Sequence, residues 1–502
     1  MWVGLEAKNV DRLDASTRTR AVLDTLLAML EDAARGMVLV CLGAGALVFL
    51  ALHLAALSHP YPLDYGEAPL VDQALRLANG QNIYRPDLAS PPYTVTNYPP
   101  LYVLVMVPWV KLFGPGFGVG RLISSVSALT TAVLLGLIIY HLSRDRFSAV
   151  VTGLLFLSVP YVTAWSALLR VDLLALACSV AALYALVRWP SAGWALAGGG
   201  LLLTAAIFAR QSYALAAPLA AFVWLWGQDR RRALHLACLV GVLTLLLVLI
   251  AQLATGGGFL FHAITANANA FGIERLDWNM RRLWKDAWAL LLLGSALLVA
   301  GWGRVRAWRL LAGYLLGAGL SALTIGKIGS NVNYFLELCA ALSLSAGALL
   351  AWSSQRRWLR VLLLLLLALQ TGRLIQTTLW KPVVDVGERR SRMGELRELE
   401  QLVAAADGPV LADEYMGMIT LQGRPLYLQP FEMTQLARAG VWDQTPLVQS
   451  IEHGEFELIL IHRFPGADVH LERWTQEMLG AVGKAYTLGR VLADTYVYRP
   501  AR

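Results

Sequence analysis

Eleven apolar runs, near residues 37–58, 117–141, 147–168, 172–187, 193–209, 213–227, 233–254, 286–302, 308–325, 334–352 and 358–378, constrain this chain more than any other feature. Roughly 20 apolar residues in a helix cross the hydrocarbon core of a bilayer. Inside that core a helix satisfies its own backbone hydrogen bonds. The sequence therefore predicts a polytopic α-helical membrane protein with about eleven transmembrane helices. Charged residues make up 15% of the chain, against about 25% in soluble domains. Several runs are short, which fits tilted or discontinuous helices.

Arginine sets the expected orientation. The clusters "SRDR" (143–146), "QDRRR" (228–232), "GRVRAWR" (303–309) and "SQRRWLR" (354–360) fall at alternate loops. The positive-inside rule makes those loops cytoplasmic. The net charge of +8 is thus a topological signal, and no nucleic acid partner is implied. The first 36 residues read as a cytoplasmic segment, with Val22, Leu23, Leu26, Leu27 and Leu30 on one stripe of an amphipathic helix. The short run "PPLYVLVMVPWVKLFG" (99–114) contains Pro108. A full crossing there would invert every later loop, so it is expected to be a juxtamembrane or re-entrant helix on the outer face.

Composition shifts after Lys381. "PVLAD" (409–413) and "FELILIH" (456–462) read as strands between helical patterns, and "YTLGRVLADTYVYRP" (486–500) reads as a hairpin. Residues 381–502 are expected to form an extracytoplasmic α/β domain, following a membrane domain over 37–380 with outer loops 59–116 and 255–285. Cys41, Cys178, Cys238 and Cys339 lie inside apolar runs without metal-ligand spacing. No HxxxH, HExxH, CxxC, Walker loop or GxGxxG occurs, so the spacing gives neither a metal site nor a soluble nucleotide donor. A divalent metal stays open.

The predicted outer side collects the ionisable residues, which are costly near a bilayer and often functional. Asp64 and Glu67 follow the first run; either caps a helix starting near Ala68 or does chemistry. Arg170 and Asp172, then Arg210 and Gln211, sit at the outer ends of later runs, and Lys327, Asn331 and Tyr334 lie in "TIGKIGSNVNYFLEL". These fit either a structural ion pair and a snorkelling arginine or a binding site. The loop 255–285 brings His262 and a basic cluster with Arg275. That cluster suits anionic headgroups or a lipid-linked phosphate.

The stretches "LDYGEAPLVDQALRLANGQNIY" (63–84), "YPPLY" (98–102), "LFGPGFGVGRLISSVSAL" (112–129), "LLRVDLLALA" (168–177) and "GSNVNYFLE" (329–337), in this order and on one side, resemble the GT-C class of membrane glycosyltransferases. The members it resembles are the bacterial relatives of protein O-mannosyltransferases and lipid A aminoarabinose transferases. It covers residues 37–380, with the C-terminal domain as an addition. The resemblance implies that the catalytic base comes from an acidic motif in the first outer loop, here Asp64 or Glu67, spacing favouring Glu67. It implies a further acidic position at Asp172. At the corner before Pro-Pro-Leu, where many relatives carry a charged residue or His, this chain has Asn97 and Tyr98.

The implied activity is inverting transfer of a sugar from a polyprenyl-phosphate donor to the hydroxyl of a glycan, lipid or protein acceptor, at the outer face of the inner (plasma) membrane. A carboxylate takes the hydroxyl proton, and cations stabilise the leaving phosphate. Arg210, Arg275 and Lys327 are candidates for that contact, with Tyr98, Arg170, Gln211, His262, Asn331 and Tyr334 as further substrate-binding candidates. The rivals are a lipid-linked sugar transporter or flippase, and a non-catalytic glycan-binding protein. Removing the tail from about Gly387 is expected to leave the acidic loop's role intact.

Overall fold

The computed structural model describes residues 3–376 and 380–501. Each of the eleven apolar runs contains helix among the described residues. Among those residues six helices are long and apolar enough to cross a membrane alone: Val22–Leu57, Gly118–Ser143, Arg230–Ala254, Ile273–Ala300, Trp308–Gly326 and Val332–Gln355. The pair Arg146–Leu157 and Pro160–Ser166, bent by 62°, makes a seventh. The other four runs give Asp172–Arg188, Gly193–Ala209, Ala216–Trp226 and Arg357–Leu374, of 11 to 18 residues. These are shorter than the full crossings expected; at the first three, the polar residues Arg170, Arg210, Gln211 and Ser212 that flank the helices fold into loops that line the site described below.

The first helix runs unbroken over Val3–Leu57. The amphipathic segment and the first crossing are therefore one element, and Gly36 between them has open space around it. The helix Leu336–Trp352 stands at the centre of the bundle, nearly every residue buried. Arg230–Ala254 lies at the rim, with only Ala233 and Leu236 buried. Small residues let helices meet closely: a Cβ at Gly153 would sit 2.7 Å from the Ala132 carbonyl oxygen.

The bundle has two distinct polar ends. At one, Arg360 pairs with Asp145 at 2.7 Å and with Glu31 at 3.6 Å, and Arg357 approaches Glu31 at 3.9 Å. Three chain segments of the predicted cytoplasmic side meet there. The opposite end carries the loop 59–116, the first of the predicted outer loops, and the C-terminal domain. The helix Leu101–Phe113 leaves from that end and returns to it. Tyr98 before it touches Arg210, and a Cβ on Gly417 of the C-terminal domain would lie 2.7 Å from Phe117 after it.

The C-terminal domain is a four-stranded sheet with helices on it. Strands β1 (Val410–Ala412), β2 (Leu458–His462), β3 (Tyr486–Leu492) and β4 (Thr495–Pro500) lie in the order β1-β2-β4-β3, with β1 and β2 parallel and the rest antiparallel. Strand β2, "LILIH", is buried throughout, as a central strand covered on both faces must be. This domain is sewn to the first outer loop. Tyr93 N donates to the Tyr427 carbonyl (2.8 Å) and Gln429 N to the Tyr93 carbonyl (2.9 Å). Leu426 N donates to Asp72 Oδ1 (3.0 Å), Val95 N to Gln429 Oε1 (3.0 Å) and Trp442 Nε1 to the Leu88 carbonyl (3.0 Å). Burial pushes the Asp72 carboxyl up to about 6.

Candidate active site

The loop after the first helix is held from behind. Glu67 accepts from Leu63 N (2.7 Å) and Leu169 N (2.8 Å), and from Arg121 Nε (2.9 Å) and Nη2 (2.7 Å). Arg121 also donates to the carbonyls of Ala56 (2.9 Å), His59 (2.6 Å) and Tyr61 (2.7 Å). Both side chains are fully buried. An ion pair inside a protein persists when its remaining lone pairs and protons are satisfied, and here they are. Glu67, which spacing favours as the base, does not line the cavity described next; both of its oxygens fix the backbone around it.

Asp64 lies on the other side of that loop. Its Oδ1 accepts from Gly66 N (2.8 Å) and pairs with Arg170. Among the described residues nothing hydrogen-bonds its Oδ2. Gly66 lies so close to Arg170 that a Cβ there would overlap the guanidinium. Arg170 stacks over Trp165 at 4.9 Å.

These groups line a cavity of about 330 Å³ that also takes in Tyr98, Arg210, Gln211, Lys327, Asn331 and Tyr334. Arg210 pairs with Asp172 and lies over the rings of Tyr98 (5.8 Å) and Tyr334 (4.7 Å). Asp172 also accepts from Trp165 Nε1 (2.8 Å) and Asn333 Nδ2 (3.2 Å) and is 1% exposed. It anchors Arg210 from beneath the cavity lining. Lys327 Nζ donates to Asn267 Oδ1 (3.2 Å), and among the described residues no carboxylate pairs with it. Burial pulls its pKa down.

The C-terminal domain closes the cavity. Gln429, Phe431 and Glu432, around the start of the helix Pro430–Arg438, form that wall. Phe431 lies 6.2 Å from the Tyr65 ring, and Arg473 stacks over Tyr65 at 4.6 Å. Asn97 Nδ2 donates to Glu432 Oε1 (3.3 Å), and burial pushes the Glu432 carboxyl up to about 7.

The remaining candidates lie elsewhere. His262 is fully buried; its Nε2 donates to the Arg85 carbonyl (2.8 Å) and its Nδ1 accepts from Thr96 N (3.1 Å). Burial lowers its pKa to about 4, so it is a neutral brace for the strand-like segment before Asn97. Arg275 faces Glu472 (3.5 Å) and lines a separate groove with Trp278 and Arg282. Asn331 borders both spaces and caps Val332 N at 2.8 Å. Sequence reasoning passed over Arg121 and Glu432. An arginine at the start of an apolar run is a signal for the first; "LQPFEM" offers none for the second. Among the described residues no group of three or more His, Cys, Asp or Glu could hold a metal ion.

No protein-family model and no curated protein sequence matches this chain. Solved structures do. ArnT from Cupriavidus metallidurans bound to undecaprenyl phosphate matches with a TM-score of 0.62 at 15% identity, over 92% of this chain and 98% of that one. Archaeal oligosaccharyltransferase AglB from Archaeoglobus fulgidus, in complex with an inhibitory peptide and a dolichol-phosphate, gives 0.52 at 11%, over 91% and 74%. The oligosaccharyltransferase of the same organism, in complex with Zn and sulfate, gives 0.54 at 12%, over 92% and 73%. The chain has the fold of these proteins, a polytopic GT-C membrane domain followed by a C-terminal sheet domain.

Proposed function

We propose that this protein is a membrane glycosyltransferase that moves a sugar from a polyprenyl-phosphate donor to an acceptor hydroxyl, with inversion at the anomeric carbon. The observation that carries the reading is one cavity in which Asp64 keeps a free Oδ2 while Lys327, without a carboxylate partner, stands with Arg210 and Arg170. An anion and a proton acceptor are both provided for in one space. The fold is that of ArnT, whose structure holds undecaprenyl phosphate, and of AglB, whose structure holds a dolichol-phosphate.

In the reaction the acceptor oxygen attacks the anomeric carbon from the face opposite the phosphate. Asp64 Oδ2 takes the hydroxyl proton as the new C–O bond forms. The bond from the anomeric carbon to the phosphate oxygen breaks, and its electron pair leaves with polyprenyl phosphate. Lys327 and Arg210 oppose the charge that develops there. Arg170 holds Asp64 by its Oδ1 and leaves Oδ2 for the cavity. The cavity end of the bundle faces out of the cell, and the membrane is the inner (plasma) membrane; the arginine distribution supports this orientation. A flippase needs ionisable groups near mid-bilayer, whereas here they collect at the two ends of the bundle.

The test is release of polyprenyl phosphate by purified protein in nanodiscs from a panel of polyprenyl-phosphate sugars. Wild type should release it and Asp64→Asn should not. Equal release by both would remove Asp64 as the base, and no release from any donor would end the transferase reading.

A further inference from the structure

Three amide side chains of the cavity are fixed with their nitrogens turned to the protein. Gln211 Nε2 donates to the carbonyls of Asn97 (2.9 Å) and Ala263 (3.1 Å). Asn97 Nδ2 donates to Glu432 Oε1 (3.3 Å), and Asn333 Nδ2 to Asp172 Oδ1 (3.2 Å). Carbonyls and ionised carboxylates only accept, so each amide orientation is determined with Glu432 in its ionised form. The oxygens are left over. Asn97 Oδ1, Gln211 Oε1 and Asn333 Oδ1 are buried without a partner among the described residues, and so is Glu432 Oε2.

Buried acceptors without donors are uncommon and costly in a folded protein. Four of them belong to residues around one cavity. Among the described residues the buried guanidinium donor left over there is Arg170 Nε, while Arg210 Nη1 is taken by Asp172. The lining is thus divided by chemistry. Cations suit an anion, and the four oxygens suit a group that brings hydrogens.

We infer that the transferred sugar sits against Asn97, Gln211, Asn333 and Glu432 with its ring hydroxyls donating to them, and that the donor sugar carries free hydroxyls and neither an N-acetyl group nor a carboxylate. This rests on the glycosyl-transfer reading above. An N-acetyl group would set its carbonyl oxygen among acceptors and need room for its methyl in about 330 Å³. A uronic acid would add a carboxylate opposite Glu432. A site built to receive hydroxyl hydrogens rejects analogues that lack them far more strongly than a methylene-sized misfit.

The experiment compares wild-type kcat/KM in nanodiscs for polyprenyl phosphate carrying a neutral hexose, an N-acetylhexosamine or a hexuronic acid. The neutral hexose should exceed the other two by at least about tenfold. The Glu432→Gln variant sharpens the test. Its amide oxygen can keep the Asn97 bond while its nitrogen becomes a donor, so the gap to the uronic acid should narrow, chiefly through KM. An N-acetylated or uronic donor used as well as the hexose by wild type would overturn the inference and leave the transferase standing. Release from none of the three would overturn both. The wild-type comparison decides the matter even if Glu432→Gln does not fold.

Discussion

Glu67 meets Arg121 through two hydrogen bonds, Nε to Oε1 at 2.9 Å and Nη2 to Oε2 at 2.7 Å, in a pair that water does not reach. The pair joins the end of the first helix, the start of Gly118–Ser143 and the loop before Asp172–Arg188. Asp64, three residues before Glu67, is thereby presented to the cavity on a rigid support. Two acids of one short motif thus point to opposite sides of the loop, one into the backbone around it and one into the cavity.

Glu67→Gln should cost stability rather than chemistry. It leaves Arg121 charged and buried without its counter-ion, a loss of about 3–5 kcal/mol for a buried pair. Thermal unfolding in detergent should show a clear drop, while release of polyprenyl phosphate per folded molecule stays near wild type. An unchanged unfolding midpoint with lost release would instead make Glu67 the base.

Lys327→Met should weaken use of the donor. The variant removes the cavity cation that has no carboxylate partner and leaves a side chain of similar length. The expected loss in kcat/KM is about 10²-fold, the scale of removing one stabilising donor. Wild-type kinetics in this variant would take Lys327 out of the phosphate site.

Gly66→Ala should abolish turnover without unfolding the bundle. The added Cβ overlaps the Arg170 guanidinium, which must then leave Asp64. A variant with full activity would show that the Asp64–Arg170 pair is dispensable.

Glu432 predicts a pH-dependent stability. Its carboxyl titrates near about 7 in the folded protein against 4.5 ordinarily. Between those values the folded state holds a proton the unfolded chain has lost. Stability from this group is therefore greatest below about 4.5, declines as the pH rises to about 7 and is level beyond. Unfolding midpoints of wild type and Glu432→Gln, measured from pH 4 to 8, should diverge across that window. Parallel curves would mean that Glu432 does not titrate there.

Deleting the tail from Gly387 should eliminate activity. The deletion removes Gln429, Phe431 and Glu432 from the cavity and Arg473 from Tyr65, and it unpairs Tyr93, Val95 and Asp72. A truncated protein that still releases polyprenyl phosphate would restore the independence of the membrane domain that its sequence alone suggests.

Much of the fold could be read directly from the chain. The apolar runs placed eleven helices, and the alternation of arginine clusters anticipated which loops meet at each end. The doubled role of "LDYGE" was not legible, because Asp64 and Glu67 differ only in which way the loop turns them. That turn is set by Arg121, 54 residues away from Glu67. Glu432 was equally hidden. Its chemistry depends on contact with Asn97 across 335 positions, and no local pattern encodes such a separation.

The seam between Val95 and Gln429, 334 residues apart, also sets a clock. A ribosome working at about 5–20 residues per second needs roughly 15–70 seconds to cover that stretch. Through this interval the loop bearing Asp64 exists while the wall that completes its cavity has not been made. A half-synthesised chain therefore holds the carboxylate but not the chamber, which closes only once its last quarter has folded.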